Sequence, residues 1–305
     1  MRLVADIGGT NSRLALAPIG TGSFFRQQNY INADFTCFND IITDYLSHCN
    51  DSVQQLVIAM AGHVTNNVGR LTNLGWVIDG NEIASSFGEI PVLVMNDLTA
   101  LGHSALQLAP NQIYPLLDLP VSQQAQRQAL VVGIGTGFNL SPIVECNGTT
   151  VCTAVEAGHT SLFASIYLEL ERLKCGIADC FPTVESLFSG RGRRKFMAQL
   201  TGKHIQNAST YIAKQGNPEN QIYDYALDKY AELIGMLLAE YKVSYLPFAG
   251  IFIAGGVARS SLVGNRAILC AKTAMSDNEF IKVNTPIWVV NDDAAALVGC
   301  ATIEL

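Results

Sequence analysis

No apolar run in this 305-residue chain approaches the ~20 residues that a membrane-spanning helix needs. Low-complexity segments and long linkers are missing too. Positive charge is in short supply. There are 19 Lys and Arg against 26 Asp and Glu, for a formal net charge of −7. An acidic surface argues against nucleic acid or an anionic membrane as the main partner. It leaves phosphate ligands open, because phosphates are recognised by local amides and cations rather than by net charge. Met1-Arg2-Leu3-Val4-Ala5-Asp6 enters a strand pattern at once, leaving no room for a signal or transit segment, and the expected location is cytoplasmic. Neither a G-x-G-x-x-G fingerprint nor a Walker loop is found, which excludes the commonest nucleotide folds.

The eight cysteines are scattered in mostly apolar surroundings and read as free, partly buried thiols. His159, Cys175 and Cys180 look like part of a zinc site. They supply only three of the four ligands a closed site needs, and Leu173 stands where a third cysteine would be expected.

Apolar residues make up 49% of the chain, enough for a sizeable core, and the length suggests two domains. Short apolar runs alternate with amphipathic stretches, the α/β pattern. Leu3–Ile7 and Arg13–Ala17 read as strands joined by Gly8-Gly9-Thr10, and Pro91–Met95 as a buried strand ending at Asn96-Asp97. Leu130–Asn139 repeats the plan of Leu3–Asn11, with a strand, a turn of glycine and threonine, and a second strand. Two such hairpins a domain length apart suggest a duplicated unit whose halves face each other. Tyr223–Tyr245 reads as the longest helix, with Tyr223, Ala226, Leu227, Tyr230, Leu233, Ile234, Leu237 and Leu238 on one stripe. Gly250–Ala254 and Ile287–Val290 are strands, and Asp293–Ile303 is the last helix.

Four segments carry candidate chemistry. In Asp6-Ile7-Gly8-Gly9-Thr10-Asn11, glycines let the backbone approach a ligand, turn amides make an anion-binding concavity, and Asp6 would sit near a nucleotide's metal through water. Gly133-Ile134-Gly135-Thr136-Gly137 is the second candidate cradle. Asn96-Asp97 lies where a strand delivers residues to a helix, and ligands gather at such strand ends. Asp97 there could accept a proton from an attacking hydroxyl, although alone the pair reads better as a helix N-cap. Glu156 and His159 could hydrogen-bond one polyol, and Glu185 is a further acid.

Together these pieces resemble the bacterial glucokinase family, within the sugar kinase, actin and heat-shock chaperone superfamily. The resemblance covers nearly the whole chain and rests on motifs in order. Asp6–Arg13 resembles the family's first phosphate motif and Gly135-Thr136-Gly137 its second. Ala61-Gly62 with Leu71–Trp76 resembles its sugar-domain segment, and Asn96–Ala100 its catalytic segment. Glu156-x-Gly158-His159 and Glu185-x-x-x-Ser189-Gly190 match its sugar-binding residues, and Ile253–Val257 its adenosine motif. The chain departs from the pattern at His63, at Phe138-Asn139, at Ala157, and at Arg191, where proline is common.

The resemblance implies a two-domain actin/hexokinase-like (ribonuclease H-like) fold with duplicated mixed sheets and flanking helices. The small domain would be 1–105 with a C-terminal helix at 291–305, the large one 106–290, closing on a cleft. The implied activity is ATP-dependent phosphorylation of glucose at the 6-hydroxyl, the entry step of glycolysis. Asp97 would be the base, and Asn73, Asn96, Asp97, Glu156, His159 and Glu185 would hold the sugar. Asp6, Gly8, Gly9, Thr10, Asn11, Gly135, Thr136, Gly137, Gly255 and Gly256 would hold ATP, with Mg²⁺ brought by ATP near Asp6 rather than bound at a protein-only site. A homodimer is the implied assembly. A kinase for fructose, mannose or an N-acetylhexosamine remains open, as does a sugar sensor without turnover. A DNA-binding segment ahead of the first phosphate motif does not fit, since that motif starts at residue 6.

Overall fold

The computed structural model describes residues 1–71, 74–120, 126–206, 221–275 and 284–305. Backbone contacts divide the chain into two units, Met1–Leu108 with Asp292–Leu305, and Ala109–Asn291.

The first unit is built on a five-stranded mixed sheet. Its strands are β1 (Arg2–Ile7), β2 (Asn11–Ala17), β3 (Phe25–Ile31), β4 (Gln55–Met60) and β8 (Val92–Asn96), in the order β3-β2-β1-β4-β8. β1, β4 and β8 run parallel, and β2 and β3 antiparallel. The strand period of two sorts side chains onto two faces. Leu3, Ala5, Ile7, Leu14, Leu16, Leu56, Ile58 and Met60 pack on one face, with α1 (Phe38–Ser47) and α2 (Gly80–Ser86). Val4, Ala15, Ala17, Val57 and Ala59 pack on the other, with α3 (Asp97–Ala105) and the C-terminal helix Ala295–Thr302. Burial on both faces explains why β1 and β4 are continuous apolar runs rather than alternating ones. The second face is rich in alanine, which lets helices come close. A Cβ on Gly299 would fall on the Ala100 carbonyl of α3.

A small sheet, β5 (Val64–Thr65), β6 (Val68–Arg70) and β7 (Val77–Asp79), sits beside β8. Asn66 and Asn67, both at positive φ, form the tight turn that joins β5 to β6. The Asn67 amide donates to the Val92 carbonyl at 3.0 Å and its oxygen accepts from Val94 N–H at 2.7 Å, so one side chain satisfies the free edge of β8.

The second unit repeats the plan. Its six-stranded sheet holds β9 (Ile113–Leu117), β10 (Gln126–Ile134), β11 (Phe138–Cys146), β12 (Thr149–Cys152), β13 (Gly250–Ala254) and β14 (Ile287–Val290), in the order β12-β11-β10-β13-β14-β9. β10, β13 and β14 are parallel, and β11 and β12 antiparallel, as in the first unit. The duplication expected from the two glycine hairpins is therefore present in sheet topology. β9, antiparallel to β14, is an addition with no counterpart in the first sheet.

The helices of this unit are α4 (Ala164–Leu173), α5 (Val184–Leu187), α6 (Gly190–Thr201), α7 (Gln221–Tyr245), α8 (Gly256–Ser261) and α9 (Asn265–Ala274). α7 buries Tyr230, Leu233, Ile234, Leu237 and Leu238 of the expected stripe in the main core, and Ala226 and Leu227 in a smaller cluster with Met197 and Ile205, whereas Tyr223, in its first turn, is only half-buried. Among the described residues no helix is long and apolar enough to cross a membrane.

Candidate active site

In the first unit β1 ends at the first glycine turn. Gly8 N–H donates to Asn11 O at 2.9 Å, closing the hairpin. A buried residue at the end of β3 holds its shape. The Asn32 amide donates to Gly8 O at 2.9 Å, its oxygen accepts from the Ser12 hydroxyl at 2.7 Å, and its backbone N–H donates to Thr10 O at 2.9 Å. Asn32 fixes the turn from below, leaving Thr10 and Asn11 exposed. Nothing in the polar sequence around it marks that role. Asn32→Ala removes two side-chain bonds and strands buried partners, so it should lower stability by about 2–3 kcal/mol. Urea denaturation checks this, with Asn11→Ala, at an exposed position, expected to stay within about 0.5 kcal/mol.

Asp6 and Arg13 face each other across the β1–β2 ladder and form an ion pair at 3.0 Å. Burial raises the Asp6 pKa, Arg13 opposes the rise and Asp293 adds to it. Arg13 also reaches the Asp293 carbonyl at 3.4 Å, which ties the hairpin to the start of the C-terminal helix.

β8 delivers Asn96 and Asp97 to the carboxyl edge of the same parallel strands. Asn96 is the N-cap of α3. Its oxygen accepts from Leu98 N–H at 2.9 Å, and its amide donates to Gly62 O at 2.9 Å. Asn96 thus has a structural duty beside any contact with a ligand. Asp97 Oδ1 accepts from Leu98 N–H at 2.9 Å, and Oδ2 has no hydrogen bond among the described residues. Burial first, then the nearby Asp6 charge, push the Asp97 pKa up to about 7, against the pull of the backbone N–H groups. A carboxylate poised near neutrality at a strand end is suited to accepting a proton.

In the second unit Gly135 N–H donates to Gly137 O at 3.0 Å, and Gly190 N–H at the start of α6 donates to Gly135 O at 2.8 Å. Glu185, on α5, binds this cradle directly. Its Oε2 accepts from Phe138 N–H at 3.0 Å, and its Oε1 faces Arg191 at 3.3 Å. A Cβ on Gly137 would press on that carboxylate at 2.7 Å, so the glycine is required for the contact. Asn139 organises the neighbouring turn. Its oxygen accepts from Leu140 N–H at 2.9 Å and Ala157 N–H at 3.1 Å, and its amide reaches Glu156 Oε2 at 3.3 Å. Gly158 lies against the Phe138 carbonyl and Glu185 Cβ with no room for a side chain. Glu156, His159 and Glu185 are thereby gathered around the second cradle, with Glu156 and His159 exposed.

Gly255, at φ 101°, packs on the Ile134 carbonyl and starts α8. Gly256, Val257 and Ser260 line a groove of about 680 Å³ together with Gly135, Thr136, Gly190 and three arginines, Arg191, Arg193 and Arg194. Sequence reasoning missed the last two. The available signal was that Arg193 falls on the buried stripe of α6 with Phe196 and Met197. Asn73 lies outside the described residues. Among the described residues no three His, Cys, Asp or Glu side chains form a metal-binding group, so His159, Cys175 and Cys180 are not assembled as one.

Two sheets of the same topology, each ending its first hairpin in a glycine cradle, define the actin/hexokinase-like fold of sugar kinases. Within that class, the glucokinase family model matches residues 3–305, and the chain belongs to the glucokinase family. A glucokinase of Caulobacter vibrioides is 26% identical over 84% of this chain and 80% of its own. The crystal structure of a glucokinase from an Antarctic psychrotroph superposes with a TM-score of 0.80 at 25% identity, covering 99% of this chain and 97% of that one. A Streptomyces griseus ROK family glucokinase, solved with glucose and AMPPNP, gives a TM-score of 0.62 at 18% identity, covering 98% of each chain.

Proposed function

We propose that the protein is a glucokinase that transfers the γ-phosphoryl group of ATP to the 6-hydroxyl of glucose. The observation that carries this is Asp97, whose pKa is pushed up to about 7 and whose Oδ2 has no hydrogen bond among the described residues, at the edge of the sheet that also presents the first cradle. The hydroxyl oxygen attacks phosphorus, the bond to the β–γ bridging oxygen breaks, ADP leaves, and the hydroxyl proton passes to Asp97. Glu156, His159 and Glu185 orient the sugar hydroxyls. The first cradle at Gly8–Thr10 and the second at Gly135–Gly137 hold phosphate oxygens that gain charge in the transfer. Mg²⁺ suits the site chemically, since Asp6 and Asp293 offer the oxygen donors a hard cation takes. When bound it would neutralise phosphate charge. A cytoplasmic homodimer is the form we propose for the working enzyme.

Steady-state assay with ATP, Mg²⁺ and a panel of hexoses tests the proposal. Glucose should turn over at about 1–100 s⁻¹ and lead fructose, mannose and N-acetylglucosamine in kcat/KM. Preference for another hexose would reassign the substrate. Sugar binding with no turnover on any hexose would make the protein a sensor.

A further inference from the structure

The groove beside the second cradle carries more positive charge than a pair of glycine turns needs. Arg191 and Arg194 are three residues apart, on one face of α6, and both are exposed on the groove. Arg193 lies between them, 5% exposed, and is braced against the opposite wall. One of its nitrogens donates to Ser261 Oγ at 2.7 Å, Ser260 Oγ at 2.8 Å and Val257 O at 3.3 Å. Its Nε is buried with no partner among the described residues. A buried guanidinium with a spare donor, at the start of a twelve-residue helix and beside two exposed arginines, is an anion site by chemistry.

The current partners of the two outer arginines are weak. Arg191 meets Glu185 at 3.3 Å with its side chain 75% exposed, and Arg194 meets Gln206 O at 3.4 Å. Exchanging such contacts for a phosphate takes little free energy. Charge-assisted bonds from a guanidinium fork to phosphate oxygens are about twice as strong as neutral ones.

We propose that Arg191 and Arg194 form a phosphate-binding wall that grips the polyphosphate chain of the phosphoryl donor. Arg191 leaves Glu185 as the donor docks and frees that carboxylate for the sugar. The inference rests on the proposed kinase reading. It makes donor selection in this chain depend on the phosphates more than on the base.

The experiment is steady-state kinetics of wild type, Arg191→Ala, Arg194→Ala and the two Lys variants, with inorganic tripolyphosphate and adenosine as separate competitive probes. Each Ala variant should raise KM for ATP at least tenfold, more in KM than in kcat. Each should weaken tripolyphosphate by a similar factor and leave adenosine within about twofold. Lys should restore most of the loss. Equal weakening of both probes, or no change in either, would overturn the proposal. If wild type shows no turnover, calorimetry with tripolyphosphate decides separately. Binding that the Ala variants abolish keeps the wall and removes the kinase reading, whereas no binding removes the wall as well.

Discussion

Asp97→Asn should lower kcat by about 10³-fold while glucose affinity stays within about threefold. The estimate follows from the general-base contribution, typically 10²–10⁴. Asparagine keeps the shape and an oxygen that can still accept from Leu98 N–H, as the Asp97 carboxylate does. It removes the ability to take a proton. Stopped-flow phosphorylation beside equilibrium glucose binding separates the two effects. A variant with wild-type kcat would remove Asp97 from the role of base. Loss of glucose binding with no separate loss of kcat would make it a sugar ligand only.

The same residue sets two pH dependences. Activity needs the carboxylate, so kcat/KM should fall about tenfold per unit below pH 7, the region to which burial and Asp6 push its pKa. Stability runs the other way. The folded state holds the Asp97 proton more tightly than the unfolded chain, so between about pH 4 and 7 the folded protein binds more protons and loses stability as pH rises. Asp97→Asn removes that loss. Its melting temperature should exceed wild type at pH 8, with the gap closing as pH falls toward 4. A pH-independent difference would show that the Asp97 charge carries no folding penalty.

The glycine hairpins, the α7 stripe and the strand ahead of Asp97 were legible because each is a local pattern with one period. The β5–β7 sheet was not. Its strands are two or three residues long, too short to show alternation, and what holds the hairpin is a distant contact from Asn67 to β8. The site divides in the same way. The residues that would touch ligand sit in recognisable turns, whereas those that hold the turns, Asn32 and Asn139, act across 24 and 18 positions of chain. Glu185 shows both kinds of information. Its resemblance to a sugar-binding acid was visible, but its bond to Phe138 N–H, which joins it to the phosphate cradle, exists only in three dimensions.

Arg2→Ala should cost about 3–5 kcal/mol, a large share of the stability of an ordinary domain. Arg2 is 1% exposed at the start of β1. Its guanidinium donates to Cys300 O at 3.0 Å and Ala301 O at 2.9 Å, carbonyls in the last turn of the C-terminal helix that have no partner inside that helix. Its other nitrogens fork onto Gln55 Oε1 at 3.2 and 2.9 Å. The charge faces the negative end of the helix dipole rather than a carboxylate. Burial accordingly lowers the Arg2 pKa from its usual value. Truncation leaves two buried carbonyls and an amide oxygen without donors, and a cavity the length of the side chain. Arg2→Met separates these terms, since it fills the volume without supplying donors and should recover only the cavity part. The effect should reach the active site, because the helix that Arg2 anchors follows directly on Asp293, whose carbonyl Arg13 meets beside Asp6. Urea denaturation of the three proteins, with kcat/KM measured on the folded fraction, is the check. An Arg2→Ala variant within about 1 kcal/mol of wild type would mean that the helix is held by Leu297, Cys300 and Ala301 packing alone.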